Sequence, residues 1–438
     1  MADLRSKQPV ELAVLEKSPR RAAFASWIGS ALEYYDFAVY GTAAAIVLNR
    51  VFFPGDSAAA GILKSMAVIG VAYVVRPFGA MLMGPLADRF GRKFVMMLTL
   101  FMMGAATFTI GCLPTYDQAG IWGPVLLVLC RMVQGLSAAG EQASAISMSL
   151  EHARDHHRAF ITSWTLQGTQ FGTLLATAVF IPFAALPEEE LLAWGWRVPF
   201  WFSAVVVVVA WLIRRRLQEP PSFVAGAQKD HKPLRAVFAG HKKAVIRIAL
   251  CAMVNTVNMV FTTFALSYAT NLGIERTTML WVPVASNTLG FLAIPLFAML
   301  SDRIGRKPVF MLGALGSAVM MYPYLYTVHE QNVLGIFLCG VLMHGGLYSM
   351  ANGVWPSFYA EMFPASVRVT GMALGTQIGF AVSGGLAPVA ATFFAGQAMQ
   401  GWLGPATFTC AISLLVIVAA ATARESANTP LERIDRGI

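Results

Sequence analysis

The chain has 438 residues, of which 57% are hydrophobic and 13% are charged. Soluble proteins carry about 25% charged residues, so the composition excludes a soluble globular protein and indicates a polytopic membrane protein. A formal net charge of +9 would suggest a nucleic-acid partner in a soluble protein. Here basic loops at the surface of a lipid bilayer account for it, and no nucleic-acid partner is expected.

The predicted elements begin with a polar segment, residues 1–23, which has no signal-peptide pattern and is interpreted as a cytoplasmic tail. A membrane-spanning helix needs about 20 mostly apolar residues. Twelve segments meet this requirement: 24–50, 61–84, 94–114, 121–150, 158–184, 196–214, 244–270, 276–299, 308–328, 332–360, 369–395 and 402–423.

A charged linker at residues 215–243 divides these segments into two groups of six. We therefore predict an all-α polytopic membrane protein with 12 transmembrane helices in two six-helix bundles, residues 24–214 and 244–423, followed by a tail at 424–438. Cytoplasmic loops are enriched in Lys and Arg. This rule places both termini and the linker in the cytoplasm, because the opposite loops contain few basic residues: Arg50, Lys64, Arg197 and Arg276.

A charged cassette occurs once in each group. Residues 88–93 and 302–307 both read Asp-Arg-x-Gly-Arg-Lys, and each copy is followed by a Glu with an Arg seven positions later. Such a repeat predicts two halves related by pseudo-two-fold symmetry, as in secondary transporters. We expect the repeated acids and bases to form ion networks that close one face and break when it opens; the alternative is solvated loops that only set the topology. The predicted gating residues are Asp88, Arg92, Glu151, Arg158, Asp302, Arg306, Glu361 and Arg368.

Ionisable residues lie within the predicted spans of the first half. They are costly in a bilayer, so they are candidates for function. Glu33 and Asp36 are three residues apart and can share a helix face, where two close carboxylates oppose joint ionisation. We predict proton coupling through Asp36 first, with Glu33 and Glu141 as further candidates. Estimated depths favour Arg76 as partner of Asp36 or Glu141, and the alternative role for all of them is permanent ion pairing that fixes helix packing.

Arginine binds carboxylates in bidentate geometry, so Arg76 and Arg131 are candidates for binding an organic anion. The second half lacks these charges and offers amides and one histidine, which suit hydroxyl and carbonyl groups. Each of these residues alone is more often a helix–helix contact. The predicted substrate-binding residues are Arg76, Arg131, Gln167, Tyr35, Asn255, Asn258, His344 and Gln377.

Several classes of function have no motif in the chain. The five cysteines form no CxxC pair, which argues against a disulfide framework or a zinc site. GxxxxGK[ST], HExxH and GxSxG patterns are absent, which argues against an ATPase, a metalloprotease or a serine hydrolase. We therefore expect no enzyme activity, no metal and no cofactor. A membrane sensor that binds a metabolite without moving it stays open as an alternative.

Several motifs resemble the major facilitator superfamily and, more narrowly, its metabolite:proton symporter family. The second cassette departs from the pattern with Ala298 before it, and the first helix has Tyr34 where the family often has Trp. The motifs that carry the resemblance are the two cassettes, Arg131-Met-Val-Gln134-Gly135, Glu33-Tyr34-Tyr35-Asp36, Phe52-Phe53-Pro54, Arg76-Pro77-Phe78-Gly79, Gly140-Glu141 and the segment Trp194 to Phe200.

The resemblance implies a secondary active transporter in the cell (inner) membrane that works by alternating access. It implies proton-coupled uptake of a small organic anion, such as a mono- or dicarboxylate or a shikimate-like hydroxy acid, and Asp36 with Arg131 as the proton-linked pair. The alternative is a proton-coupled carrier of zwitterionic osmolytes such as proline or betaine. Substrate, protons and lipid are the expected partners, and the chain is expected to be a monomer.

Overall fold

The structure is a computed structural model that describes residues 19–54, 58–90, 92–138, 141–214, 233–364, 367–396 and 399–435. All regular elements within these ranges are helices. We number the long helices α1 to α12; α1–α6 form the N-terminal bundle and α7–α12 the C-terminal bundle.

The N-terminal bundle contains three uninterrupted long helices before α4, which is described in two segments. Its helices are α1 (Pro19–Ile46), α2 (Ala58–Phe90), α3 (Arg92–Cys112), α4 (Trp122–Ser137 and Glu141–His152), α5 (Arg158–Ala184) and α6 (Val198–Trp201 and Ser203–Arg214). Short helices in its connections span Leu48–Phe52, Tyr116–Ala119, Asp155–His157, Glu188–Ala193 and Gly195–Arg197.

The C-terminal bundle differs in that two of its helices contain π-helical turns. Its helices are α7 (Lys242–Ala252, Asn255–Met259, the π-helical Val260–Phe264 and Ala265–Asn271), α8 (Arg276–Ile304), α9 (Arg306–His329), α10 (Val333–Gly340, the π-helical Val341–Tyr348 and Ser349–Ala360), α11 (Arg368–Phe394) and α12 (Leu403–Ala421). Short helices span Pro233–Gly240 and Leu431–Asp435.

Each of the twelve predicted segments coincides with one of these helices. Within the described residues, seven helical stretches are long and apolar enough to cross a membrane. Met97–Cys112, Trp122–Ser137 and Gly195–Val209 are shorter apolar helices. The predicted tail and linker lie partly outside the described residues. In the described parts, α1 begins at Pro19 and a short helix spans Pro233–Gly240. The predicted boundaries of the tail and of the linker stay predictions.

Glycines allow the helices of each bundle to pack closely. A Cβ at Gly172 of α5 would lie 2.1 Å from the carbonyl oxygen of Ala31 in α1. In the C-terminal bundle a Cβ at Gly379 of α11 would lie 2.4 Å from the carbonyl oxygen of Ala249 in α7. Small residues permit such backbone contact, and the α1–α5 and α7–α11 pairs are equivalent under the predicted symmetry.

The contacts between the two bundles include the helix pairs α1–α7, α5–α8 and α2–α11. Ser267 of α7 donates a hydrogen bond to the Ala45 carbonyl of α1 (3.0 Å). Gln167 of α5 donates to the Phe291 carbonyl of α8 (2.9 Å). Between α2 and α11, a Cβ at Gly70 would lie only 2.7 Å from a backbone oxygen. These contacts surround the middle of the molecule, where the candidate site lies.

Candidate functional site

A small cavity of about 30 Å³ lies between the two bundles. We call it the central cavity; α1 and α5 form one wall, and α7, α10 and α11 form the other. The side chains in its described lining are amides, hydroxyls, aromatic rings and aliphatic groups, and none is charged. The residues that matter below are Tyr34, Gln170, Asn255, Asn258, Tyr348, Asn352, Trp355 and Tyr359.

The C-terminal wall presents a connected set of amides. Asn258 donates from Nδ2 to Asn255 Oδ1 (3.3 Å), and its own Oδ1 lies 3.0 Å from His344 Nε2. The His344 ring is buried and stacks between the rings of Phe261 and Tyr348. The distances between ring centroids are 4.5 Å to Phe261 and 4.9 Å to Tyr348. The structure therefore places Asn255 and Asn258 on the cavity surface, with His344 directly behind them where it orients Asn258.

This wall is built where the two helices depart from α geometry. Phe261 lies in the π-helical turn of α7, and His344 in that of α10. π-Helical turns are rare and occur frequently at functional sites. The stacked rings therefore join the two irregular segments just behind the amides.

The N-terminal wall differs in detail from the sequence prediction. Tyr35 is buried and donates to the Pro199 carbonyl (2.9 Å), so it points towards α6, and its neighbour Tyr34 lines the cavity instead. Gln167 bridges to α8, and Gln170, one turn further along α5, lines the cavity. Gln377 is buried in α11, outside the described lining. Neighbouring positions on a helix face different directions, and the amino-acid pattern did not distinguish them.

The charged residues of the first half form a separate buried group behind Tyr34. Arg76 Nη2 lies 3.5 Å from Glu33 Oε1, and both side chains are almost inaccessible to solvent. The Arg76 guanidinium lies 4.2 Å from the ring centre of Phe37 and 4.6 Å from that of Tyr73. Such cation–π contacts stabilise the guanidinium in a dry environment, so Arg76 is fixed by two rings as well as by Glu33.

Arg131 lies in a second polar chain. It donates from Nη1 to Gln134 Oε1 (2.7 Å), and Gln134 Nε2 donates to Thr107 Oγ1 (2.7 Å). Its guanidinium covers the Tyr40 ring at 3.9 Å. Asp36 adjoins Thr107 and lies within electrostatic range of Arg131.

Arg76 contacts Glu33, which the estimated depths did not single out as its partner. Asp36 lies within electrostatic range of Arg131, and these two residues are the pair that the family resemblance implied. The pairing of Arg76 with Glu141 stays a prediction. Glu141 opens the second segment of α4, and its side chain lies outside the described residues.

A network of charges joins the bundles at the end of the molecule where α8 turns into α9. Glu361 is fully buried, its Oε1 lies 2.8 Å from Nε of Arg158 in the other bundle, and it accepts from Arg306 of its own bundle (3.2 Å). We use the name charged network for six residues: Glu361, Arg158, Arg306, Asp302, Arg368 and Glu151.

Two further sets of contacts in the charged network cross between the bundles. Asp302 accepts from the backbone N–H groups of Ala159 and Phe160 (both 3.1 Å), at the start of α5. A carboxylate is favoured at a helix N-terminus. Arg368 Nη1 lies 3.6 Å from Glu151, whose side chain is 51% exposed.

Six of the eight predicted gating residues meet in this network. Arg158 contacts Glu361 and Arg368 contacts Glu151, so each of these two arginines reaches an acid of the other bundle. The pair Arg306–Glu361 lies within one bundle. The side chains of Asp88 and Arg92, the other two predicted gating residues, lie outside the described residues.

Sequence reasoning missed the contribution of the chain after α12. Arg158 also donates to the carbonyls of Ser426 (3.1 Å) and Thr429 (3.0 Å). Glu425 accepts from the backbone N–H groups of Arg306 (2.9 Å) and Lys307 (3.0 Å), where it caps α9. Although burial raises the pKa of Glu425, these backbone donors outweigh burial and lower it. The signal was an acidic residue directly after the last apolar segment.

The comparisons with known proteins cover the whole described fold. A family model described as "Sugar (and other) transporter" matches residues 22–246, and one described as "Major Facilitator Superfamily" matches residues 248–436. The chain is 34% identical over 435 residues to the shikimate transporter of Escherichia coli strain K12, covering 97% of this chain and 98% of the relative.

The chain belongs to the major facilitator superfamily.

Other matches agree with this membership. The proline/betaine transporter of Escherichia coli strain K12 is 30% identical over 429 residues, covering 94% of this chain and 85% of that relative. The proton:xylose symporter XylE bound to 6-bromo-6-deoxy-D-glucose has a TM-score of 0.77 at 19% identity, covering 95% of this chain and 98% of XylE. A partially occluded inward-open form of XylE from Escherichia coli has a TM-score of 0.72 at 19% identity, covering 94% and 99%.

Three sequence predictions are thereby confirmed. The chain has the all-α superfamily fold with twelve helices in two bundles. It is a multi-pass membrane transporter and not an enzyme. The resemblance drawn from the motifs identified the correct superfamily.

Proposed function

We propose that this superfamily member is a proton-coupled symporter that imports a small organic anion. The proposed substrate is a hydroxylated carboxylic acid of the shikimate type. The observation that carries the proposal is the pairing of two sites. A neutral cavity of amides and aromatic rings lies between the bundles, and a buried group of carboxylates and arginines lies behind Tyr34. The similarity to the shikimate transporter along 97% of the chain supports the same substrate class.

In this proposal the cavity recognises the uncharged part of the substrate. Amides donate and accept hydrogen bonds, so Asn255, Asn258 and Asn352 suit a ring that carries several hydroxyl groups. The rings of Tyr34 and Trp355 provide an apolar face for its carbons. The substrate carboxylate is then attracted by Arg76, which adjoins Tyr34.

Proton coupling is assigned to the buried carboxylates. Asp36 is the first candidate because it lies near Arg131 and is almost fully buried. Glu33 is the second, since its contact with Arg76 must change if Arg76 turns to a substrate carboxylate. Neutralising either acid with a proton weakens its hold on the neighbouring arginine, and this change links proton binding to substrate binding.

Alternating access follows from the contacts between the bundles. The chain is proposed to lie in the cell (inner) membrane with both termini in the cytoplasm, which places the charged network on the cytoplasmic side. The network closes that side, and Arg158–Glu361 must separate for release. Rocking of one bundle against the other around a fixed site is the general mode for this architecture.

One observation favours a second candidate substrate class. Tyr34, Tyr348, Trp355 and Tyr359 all line the cavity, and aromatic groups bind quaternary ammonium ions through cation–π contacts. The lining therefore also suits a zwitterionic osmolyte such as glycine betaine, and the proline/betaine transporter is also similar. No acidic side chain among the described lining residues would neutralise its ammonium group, so we place this class second.

Uptake into proteoliposomes tests the proposal. With an inward pH gradient, labelled shikimate is expected to accumulate, and dissipating the gradient with a protonophore is expected to abolish accumulation. Labelled glycine betaine in parallel vesicles decides between the two substrate classes. If preloaded vesicles exchange neither compound nor any of a panel of organic acids, the sensor alternative replaces transport.

A further inference from the structure

A second cleft lies inside the N-terminal bundle, away from the central cavity. It is lined by α1, α3, α4 and α6 and has a cavity volume of about 20 Å³, which is room for about one water molecule. We call it the N-bundle cleft. The residues that define it here are Gly29, Glu33, Asp36, Thr99, Ser137 and Val206.

The two candidate proton-binding acids whose side chains the structure describes, Glu33 and Asp36, face the N-bundle cleft. Glu33 and Asp36 belong to its described lining, and neither belongs to that of the central cavity. Asp36 is only 4% exposed, and its Oδ1 has no hydrogen-bond partner among the described residues. A buried carboxylate oxygen without a partner requires an explanation such as water.

The cleft has the size and polarity that water requires. A buried water needs polar partners and room for at least one molecule. Hydroxyl groups from two further helices, Thr99 of α3 and Ser137 of α4, share the cleft with the two acids. Around Asp36 the charged groups are Glu33, Arg76 and Arg131, and the cleft residues from α3 and α6 are uncharged.

In the proposed topology, the lining residues of the N-bundle cleft on α3 and α6 lie towards the cytoplasmic ends of their helices. Thr99 lies about two helical turns from the start of α3, and Val207 lies about two turns before the end of α6. Both ends are cytoplasmic in the proposed topology. The cleft thus extends from Asp36, deep in the bundle, towards the cytoplasmic end, along a line that does not pass through the charged network between the bundles.

We propose that protons reach and leave Asp36 and Glu33 through the N-bundle cleft, by way of water and the hydroxyls of Ser137 and Thr99, and not through the central cavity. The inference rests on the proposed proton coupling. A hydronium ion in the cleft transfers one proton to the Asp36 carboxylate, which leaves water and a neutral carboxylic acid; release is the reverse step. Substrate and proton then take separate routes, so a bound substrate does not block the acid.

Filling the cleft tests this route. Val206 is 6% exposed and lines the cleft, so Val206→Phe places a ring in the water path. Its neighbour Val205 is 52% exposed on the outer face of the same helix, so Val205→Phe is the matched control. Both variants are reconstituted as full-length protein, and labelled shikimate is measured in pH-gradient-driven uptake and in counterflow, which needs no net proton movement.

The expected result is a fall in the ratio of driven uptake to counterflow by about tenfold or more in Val206→Phe, the scale of a disrupted proton transfer. The ratio in Val205→Phe is expected to match the wild type. Ser137→Ala adds no volume and removes a relay hydroxyl, so its ratio is expected to fall in the same direction even if Val206→Phe folds poorly.

The outcomes separate the two proposals. If wild-type protein shows counterflow but no gradient-driven uptake, the proposed proton coupling fails and the route fails with it. If wild-type uptake is gradient-driven and the ratio is unchanged in both Val206→Phe and Ser137→Ala, the route is refuted while the proposed function stands.

Discussion

The substitution Glu361→Gln tests whether the charged network holds the cytoplasmic side closed. Glu361 is fully buried, forms an ion pair with Arg158 at 2.8 Å and accepts a hydrogen bond from Arg306 at 3.2 Å. It also accepts from the hydroxyl of Ser426. Glutamine keeps the size of the side chain and removes its charge. Arg158 then loses this anion in the closed state only, because its contact crosses between the bundles, whereas Arg306 loses it in both states.

The magnitude follows from the remaining contacts. Removing one partner of a buried ion pair costs about 3–5 kcal/mol. Arg158 keeps Asp155 at 3.1 Å and two backbone carbonyls, and Arg306 keeps Asp302 at 2.7 Å. These contacts put the loss near the lower end, about 3 kcal/mol, which shifts the equilibrium towards the open state by about a hundredfold.

Distances measured by pulsed electron–electron double resonance check this shift. Arg154 and Arg303 are exposed at the ends of opposite bundles, so spin labels at these sites report their separation. In Glu361→Gln a population at longer distance is expected to become dominant. The matched control is Glu151→Gln, since Glu151 is 51% exposed and 3.6 Å from Arg368.

An exposed ion pair contributes about 0–1 kcal/mol, so the control is expected to keep the wild-type distance distribution. Equal opening in Glu151→Gln and Glu361→Gln, or no opening in either, would show that the buried pair does not hold the closed state.

Three further substitutions test the remaining assignments. Asp36→Asn is expected to lose pH-driven accumulation and keep counterflow, because exchange needs no net proton movement; accumulation at the wild-type level would exclude Asp36 as the proton carrier. Asn258→Ala is expected to raise the KM for shikimate counterflow by about tenfold, the equivalent of one lost hydrogen bond of about 1.4 kcal/mol, and an unchanged KM would place substrate elsewhere. Gly172→Ala puts a methyl group 2.1 Å from the Ala31 carbonyl oxygen, so overpacking of about 1–3 kcal/mol or more is expected to lower the Tm. Gly346→Ala, whose Cβ would lie no nearer than 3.8 Å to another residue, is expected to leave the Tm unchanged.

The sequence alone determined the spans and the division into halves. Hydrophobicity and charge act locally: each apolar stretch of about 20 residues must span, and a repeated cassette must mark repeated structure. The same reasoning found the buried charges of the first half, since ionisable residues are rare within spans. It also found the amides Asn255 and Asn258, which the structure places on the cavity surface.

Only the tertiary structure decided which residues meet. The repeat gives Glu151 and Glu361 equivalent arginines in both halves, and the packing of the bundles selects the crossed pairs Arg158–Glu361 and Arg368–Glu151. Helix rotation likewise turned Tyr34 towards the cavity and Tyr35 towards α6. A sequence repeat cannot distinguish two equivalent partners, and residues adjacent on a helix differ in direction by about 100°, so these choices depend on how whole helices pack.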